Sequence, residues 1–359
     1  MNIKAILFGS AAALAAVSGA QAADAIVAAA PEPAEYVRVC DAFGTGYFYI
    51  PGTETCLKIS GYVRAQLEYT SVDGGRNWNA RTRGLVTFAA KNDSELGTIG
   101  STITVRAWQG GSTTSQGDSA GTTTDTNSVE VDEAFITVGG FQVGSFYNYF
   151  DTGLSGETDA LGSNRLNAIA YNYKSGAFFA GIAVDETNGF SKTDSSVSSS
   201  SAYVKSYNVD KNVGIEGQVG GTFGPVTTTL LGGYDFNTQN FAVRDITSVN
   251  VGPGVLSVAA VYANGVNAYY DASKWSVAGE YAAKITDKLT LTPGVQYFGK
   301  TQVDASGDYF GRNIVRGGLT VDYKLAAGLT TKVSAQYQNK NASGTNDVWT
   351  GFVRLQRSF

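Results

Sequence analysis

The sequence predicts an all-β fold, a transmembrane antiparallel barrel of about 16 strands, and two observations carry this prediction. First, apolar and polar residues alternate with a period of two along many segments, as they do in strands that present two different faces. Second, the connections between these segments alternate between short turns and long polar loops. Membrane barrels regularly show such unequal ends, and a soluble sheet protein has little reason for them.

The alternation is clear in the segment from 57 to 69. Val63 and Leu67 belong to an apolar face, and Arg64 and Gln66 fall between them. Counting such segments and their turns gives about 16 strands of ~10 residues, enough to cross a bilayer when tilted. A soluble sandwich is the alternative, because its two faces would alternate in the same way. Aromatic residues at strand ends favour the membrane barrel, since they resemble interfacial girdles: Tyr69, Trp108, Phe146, Tyr147, Trp275, Tyr297, Trp349 and Phe359.

The first 22 residues have the pattern of an export signal. Lys4 precedes an apolar run from Ala5 to Val17, and the small-residue sequence AQA ends at Ala22. The run is shorter than the ~18 to 20 residues that a membrane helix needs, so cleavage after Ala22 is expected, with a retained anchor as the alternative. The expected layout is a signal peptide (1–22), an N-terminal segment (23–56) and the barrel (57–359).

The chain contains two cysteines, Cys40 and Cys56. An even pair in an exported protein normally closes a disulfide. A metal site would need more ligands than two thiols, and a redox motif would place the cysteines two residues apart. We therefore expect a structural disulfide that closes a loop on the periplasmic side, just before the first barrel strand.

The composition excludes several classes of function. The chain has no histidine, which removes every Ser-His or Cys-His nucleophile system and the commonest metal ligand, so neither an enzyme nor a cofactor is expected. Its formal net charge is −5 and its basic residues are scattered, so nucleic acid is not an expected partner. The segment GVQYFGKT (294–301) matches a phosphate-binding pattern, yet it alternates as a strand where that chemistry needs a loop and a helix.

Arginines recur at the polar positions of the alternating strands. Arg64, Arg83 and Arg106 occupy such positions in the first three strands, and Arg354 does so in the last. A closed barrel places its last strand beside its first, so these four side chains are expected on one contiguous wall of the lumen. The alternative is that they are simply solvated in a wet lumen.

Several motifs together resemble the porins of alphaproteobacteria, the family that includes the major porins of Brucella and Rhizobium. They are YVRVCDAFGTGYFYIPGTETCLKISGYVRAQ, GGFQVGSFYNYFD, NVGPG, TPGVQYFG and the terminal RLQRSF. The resemblance covers essentially the whole chain after residue 22. It implies a trimeric general porin of the outer membrane, surrounded by lipid and lipopolysaccharide, that lets small hydrophilic solutes and ions diffuse through a channel narrowed by its third loop.

The same resemblance assigns the two sides of the narrowest point. The segment YFDTGLSGETDALGSNR (149–165) matches the position of the constriction loop, which implies Asp151, Glu157 and Asp159 as its acidic groups. Arg165 falls where that family places a basic constriction residue, and would join the arginine wall. An ordinary extracellular acidic loop is the alternative.

Two other functions stay open at this point. One is a substrate-specific channel, which should carry a row of aromatic residues along the lumen. The other is a structural or adhesive surface protein, whose polar, Ser/Thr-rich loops, such as Gly110 to Ser128, would bind an external partner while the barrel serves only as an anchor.

Overall fold

The computed structural model describes residues 37–71, 78–110, 112–113, 124–125, 127–160, 165–187, 212–304, 307–339 and 347–359. The predicted signal peptide, residues 1–22, lies outside this part of the chain, as does most of the Gly110 to Ser128 loop. Val39–Phe359 form one compact unit. Among the described residues, no helix is both long and apolar enough to cross a membrane.

Sixteen antiparallel strands form a closed barrel. Each strand pairs with the next in sequence, and the last pairs with the first from Tyr62 opposite Ser358 to Thr70 opposite Thr350. Closure satisfies the backbone groups that an open sheet edge would leave unpaired. The predicted barrel of 16 strands is therefore confirmed. The strands are β1 (Cys56–Thr70), β2 (Trp78–Ser94), β3 (Gly97–Gln109), β4 (Ser128–Val138), β5 (Phe141–Tyr147), β6 (Arg165–Ser175), β7 (Phe178–Glu186), β8 (Val213–Phe223), β9 (Val226–Asp235), β10 (Asn240–Val251), β11 (Gly254–Ala263), β12 (Trp275–Lys284), β13 (Leu289–Gly299), β14 (Ile314–Ala326), β15 (Leu329–Gln338) and β16 (Val348–Ser358).

The two faces of the strands are those that the alternation predicts. On β1, Val63 and Leu67 are exposed on the outside of the barrel, whereas Gln66 is buried on the inside. On β16, Val353 and Leu355 are likewise exposed, and Arg354 between them is largely buried. An apolar outer surface and a polar lumen are the arrangement that a barrel in lipid requires.

Strand β4 changes its inner face part-way along, because it contains a β-bulge. Thr104 pairs with Glu133, but Val105 pairs with Val131, so Asp132 is an extra residue without a partner on β3. Val131 and Ile136 are both exposed although they are five positions apart, which regular alternation would place on opposite faces. A bulge inserts one residue without any mark in the composition, which is why this strand cannot be assigned to faces from alternation alone.

The disulfide between Cys40 and Cys56 is present, with Cα atoms 6.0 Å apart, as the sequence predicts. Cys56 is the first residue of β1 and lies opposite Lys91 near the end of β2, so the bridge sits at the end of the barrel that carries the short turns. Both half-cystines are buried in a small cluster with Tyr47, and Phe48–Tyr49 pairs with the start of β1. The bridge thus holds the N-terminal segment against the first strand.

Replacing both cysteines with serine is expected to lower the free energy of unfolding by about 3 kcal/mol, the chain-entropy value for a loop of this length. Heat-induced loss of the compact band on a semi-native gel measures the change. Ion conductance should stay close to that of the wild type, because the bridge lies eight residues along β1 from Arg64, at the end of the barrel with the short turns. A C40S/C56S variant with an unchanged transition temperature would contradict the expectation.

Residues 264–274, between β11 and β12, fold into the barrel. Their polar composition suggests an exposed connection, yet Asn267, Tyr269 and Tyr270 are at most 2% exposed. The Tyr269 hydroxyl donates to Asp185 on β7 (2.7 Å), and its ring packs 5.6 Å from that of Phe150. Burial raises the pKa of Tyr270 to about 12. Tyr269 and Tyr270 belong to the largest apolar cluster of the described residues, together with Phe150 and inward-facing side chains of the wall. This cluster therefore lies inside the barrel.

A glycine on the wall makes room for this loop. A Cβ atom at Gly233, which faces inward on β9, would lie 2.6 Å from the Tyr269 ring, whereas one at the outward-facing Gly232 would meet nothing within 4 Å. Such an approach leaves no space for any larger side chain.

Gly233→Ala is therefore expected to destabilise the protein by about 1–3 kcal/mol, the usual cost of overpacking. Gly232→Ala is the matched control and should leave stability almost unchanged. Thermal unfolding in detergent compares the two variants, and equal transition temperatures for both would contradict the close packing of Tyr269 against the wall.

Candidate functional site

The segment that follows β5 crosses the lumen. Residues 148–160 leave the end of β5 and reach the inner faces of β12 to β15, far from β5 around the barrel. Backbone and side-chain donors of the segment meet inward-pointing acceptors on those strands. The bonds are Gly156 N to both Glu280 carboxylate oxygens (3.0 and 2.9 Å), Glu157 N to Thr320 Oγ1 (3.2 Å), Thr158 Oγ1 to Gln336 Oε1 (3.0 Å) and Ala160 N to Gln296 Oε1 (2.7 Å).

The beginning of this loop is also held by the wall. The backbone N–H of Tyr149 donates to both carboxylate oxygens of Glu216 on β8 (3.1 and 3.0 Å), and the Tyr149 hydroxyl donates to Asn172 on β6 (2.8 Å). Phe150 is 1% exposed and packs in the apolar cluster beneath residues 264–274. The loop is therefore folded into the lumen along the described part of its length, as the resemblance implies.

A buried ion pair fixes the middle of the loop. Arg244 Nη2 on β10 lies 2.6 Å from Asp159 Oδ2, and the two side chains are 1% and 2% exposed. The same carboxylate accepts the backbone N–H of Leu154 (3.1 Å). Asp159 is thus directed at β10 and contributes no ion pair to the arginines of the first and last strands.

Glu157 is the loop carboxylate that meets the basic wall. Its Oε1 atom lies 3.3 Å from Lys332 Nζ on β15 and 3.8 Å from Arg354 Nη1 on β16. Its backbone carbonyl accepts a bond from Arg316 Nη2 (2.9 Å). Asp151, in the short helical turn Tyr149–Asp151, takes part in none of the ion pairs of the described residues.

The structure brings three of the predicted arginines together on adjacent strands. Arg64 on β1 pairs in register with Arg83 on β2, and Arg354 lies on β16, the strand on the other side of β1. Two side-chain bonds cross the closure of the barrel: Arg64 Nε donates to Gln356 (2.9 Å) and Arg354 Nε donates to Gln66 (2.6 Å). These bonds hold the guanidinium groups at a common level of the wall.

Arg106, on the strand next to that of Arg83, and Arg165 form ion pairs with carboxylates of β4. Arg106 lies 2.5 Å from Glu130 and 2.9 Å from Asp132, and Arg165 lies 3.4 and 3.2 Å from the same two residues. The Tyr147 hydroxyl also donates to Asp132 (2.9 Å). The positive charges of both arginines are therefore balanced locally, where the loop joins β5 and β6.

The GVQYFGKT segment is part of the wall. Strand β13 runs from Leu289 through Gly299, across most of the motif, and no helix follows it among the described residues. The backbone groups that would bind phosphates are instead paired with β12 and β14.

Comparisons with known proteins agree with this architecture. A family model described as a porin subfamily matches residues 24–356. The chain belongs to this porin family. It is 44% identical, across the whole chain and 99% of the relative, to the putative outer membrane protein y4fJ of Sinorhizobium fredii. It is 32% identical to porin Omp2a of Brucella suis, with both chains covered completely.

Solved structures share the fold of this porin at low sequence identity. The outer membrane channel DcaP of Acinetobacter baumannii is 14% identical and has a TM-score of 0.63, covering 87% of this chain and 99% of that one. OmpT of Vibrio cholerae, in its trimer form, is 12% identical with a TM-score of 0.55, covering 86% and 100%. The porin is accordingly an integral protein of the outer membrane and acts as a general channel across it. The Brucella suis relative is named a porin, which is a channel protein.

Several residues of the site are not evident from the sequence. Lys332 next to Glu157, and the wall residues Glu216 and Glu280 that bind the loop, occupy polar positions in alternating strands, and alternation could have placed them in the lumen. Arg244 is followed directly by Asp245, so alternation leaves the inward face of its strand ambiguous. Their roles depend on where the loop crosses, which no local pattern of the sequence encodes.

Proposed function

We propose that this porin lets small hydrophilic solutes and ions diffuse passively, and that its narrowest point lies between Glu157 on the inward loop and the basic wall of Arg64, Arg83, Arg354 and Lys332. The observation that carries the proposal is that the inward loop brings Glu157 into contact with Lys332 and Arg354, at the edge of the basic wall. Asp159 acts as an anchor of the loop in this scheme, and Arg106 and Arg165 stabilise its two ends.

The arrangement suits a filter for polar solutes. A carboxylate on one side and guanidinium groups on the other create a field across the opening, which orders water and favours polar solutes over apolar ones of equal size. No bond is made or broken during passage. The hydrogen bonds that hold the loop determine the width of the opening, and the side chains around it determine the field.

The proposed assembly is a homotrimer within the outer membrane. Trimeric OmpT, which shares the fold, supports this number of subunits. Lipid and lipopolysaccharide would contact the exposed apolar faces of the strands, such as that of Val353 and Leu355. The N-terminal disulfide segment, at the end with the short turns, would then face the periplasm.

Planar-bilayer recording tests the function and the assembly together. Purified protein added to a bilayer in potassium chloride is expected to give stepwise conductance increases that close in three equal levels. Protein that inserts, as judged by protection from added protease, but conducts no ions would overturn the proposal. Single-level closures would overturn the trimer and leave the channel intact.

A further inference from the structure

The basic wall contains like charges placed directly opposite each other. Arg64 lies in register with Arg83 across the β1–β2 pair, and Lys332 lies in register with Arg354 across the β15–β16 pair. Like charges opposite each other on one face of a sheet are destabilising. Their repulsion needs a compensating group, and the two pairs differ in whether the protein supplies one.

The second pair is compensated by the protein itself. Lys332 lies 3.3 Å from Glu157 and 3.5 Å from Asp322, and Arg354 lies 3.8 Å from Glu157. The first pair has no carboxylate of the described residues in contact with it. Within the described part of the chain, no carboxylate lies within 4.0 Å of a guanidinium nitrogen of Arg64 or Arg83. The Nε atom of Arg83 is buried without any hydrogen-bond partner in the same part of the chain.

Aromatic rings hold both of these arginines in place. The guanidinium carbon of Arg64 lies 4.7 Å from the centre of the Tyr62 ring, and that of Arg83 lies 4.3 Å from the Trp108 ring. Stacking uses the flat face of a guanidinium and leaves the N–H donors at its edge available. The donors are thus oriented in advance, which reduces the entropy lost when an anion binds.

We propose that Arg64 and Arg83 form a binding subsite for small organic carboxylates in transit. The proposal rests on the proposed channel function and specifies one class of solute that the channel takes. A carboxylate accepts two parallel N–H bonds from a guanidinium, and it would supply the negative charge that the Arg64–Arg83 pair lacks. The subsite lies on the strands next to that of Arg354, which contacts Glu157 of the inward loop. A bound solute would therefore sit at the proposed narrowest point. Both arginines are only half-buried, which keeps binding weak enough for release.

Succinate block of single channels tests the subsite. Sodium succinate added to wild-type channels in potassium chloride is expected to reduce the chloride current in a saturable way, and neutral succinamide, of the same size, is expected not to. In the double variant R64Q/R83Q the affinity for succinate should fall about tenfold or more, since bonds to charged groups are the stronger ones. Arg81→Gln is the matched control and should retain the saturable block, because Arg81 lies in register with Gln66 and pairs with Glu68.

Trp108 offers a second measurement that does not require current. Succinate is expected to change the tryptophan fluorescence of the detergent-solubilised wild type but not that of R64Q/R83Q. R81Q serves as the control for the current block alone, because Arg81 also stacks on the Trp108 ring (4.3 Å). Block that does not saturate, or equal succinate affinity in R64Q/R83Q and the wild type by both measurements, would overturn the subsite while leaving the channel established. Protein that inserts but carries no chloride current would overturn the channel, and the subsite with it.

Discussion

Replacing Arg244 with leucine is expected to release the inward loop from β10 and to raise the single-channel conductance. Arg244 and Asp159 are almost fully buried, 2.6 Å apart. Removing one partner of a buried ion pair leaves the other charge unpaired, at a cost of about 3–5 kcal/mol. Since the loop can avoid that cost by turning Asp159 into water, the stability of the loop position falls and the opening widens.

Two control variants separate this effect from a change of charge alone. Arg81→Leu removes one positive charge from the same lumen, but Arg81 pairs with Glu68 and touches no described residue of the loop. It should leave the conductance nearer to the wild-type value. The double variant R244L/D159L should be less destabilised than R244L, because no buried charge is left alone. Equal conductance in R244L and the wild type would show that Asp159 does not hold the loop.

Replacing Glu157 with glutamine is expected to shift the channel toward anions. Its carboxylate lies 3.3 Å from Lys332 and 3.8 Å from Arg354, and the substitution removes the negative charge without removing the backbone bonds of the loop. Because these side chains are partly exposed, the lost interaction is worth about 1 kcal/mol. That energy corresponds to about a fivefold rise in the chloride-to-potassium permeability ratio.

The reversal potential in a potassium chloride gradient measures this ratio. Asp151→Asn is the matched control, since it removes the same charge from the same loop, and Asp151 belongs to none of the ion pairs of the described residues. A shift in D151N as large as that in E157Q would indicate a general effect of charge in the lumen. An unchanged ratio in E157Q would exclude Glu157 from the constriction.

Much of the fold follows from local sequence patterns, because a barrel strand is defined by its own alternation and by the turns beside it. The exceptions have physical causes. The bulge at Asp132 shifts the phase of β4 by one residue, and alternation on either side of it looks equally regular. Residues 264–274 contain asparagine, aspartate and serine, as exposed loops do, yet Tyr269 and Tyr270 supply enough apolar surface to bury them.

The candidate site could be predicted only in part. Arg64, Arg83 and Arg354 are placed together by strand parity and closure of the barrel, both of which the sequence supports. The pairing of Asp159 with Arg244 depends on a contact across the lumen between elements far apart in the chain. Local patterns carry no information about such contacts. The sequence alone therefore does not distinguish Asp159, which holds the loop against β10, from Glu157, which contacts the basic wall.

The two inward loops are bound by one continuous part of the wall. The hydrogen bonds and ion pairs of residues 148–160 and 264–274 reach strands from β6 round to β16, so we expect the opening to lie off-centre, beside the first three strands. Electrostatic interactions extend over about 8–10 Å at moderate ionic strength. If the opening lies there, we expect ions to pass within the screening length of the arginine wall, and raising the salt concentration should weaken the influence of the wall on large and small ions alike.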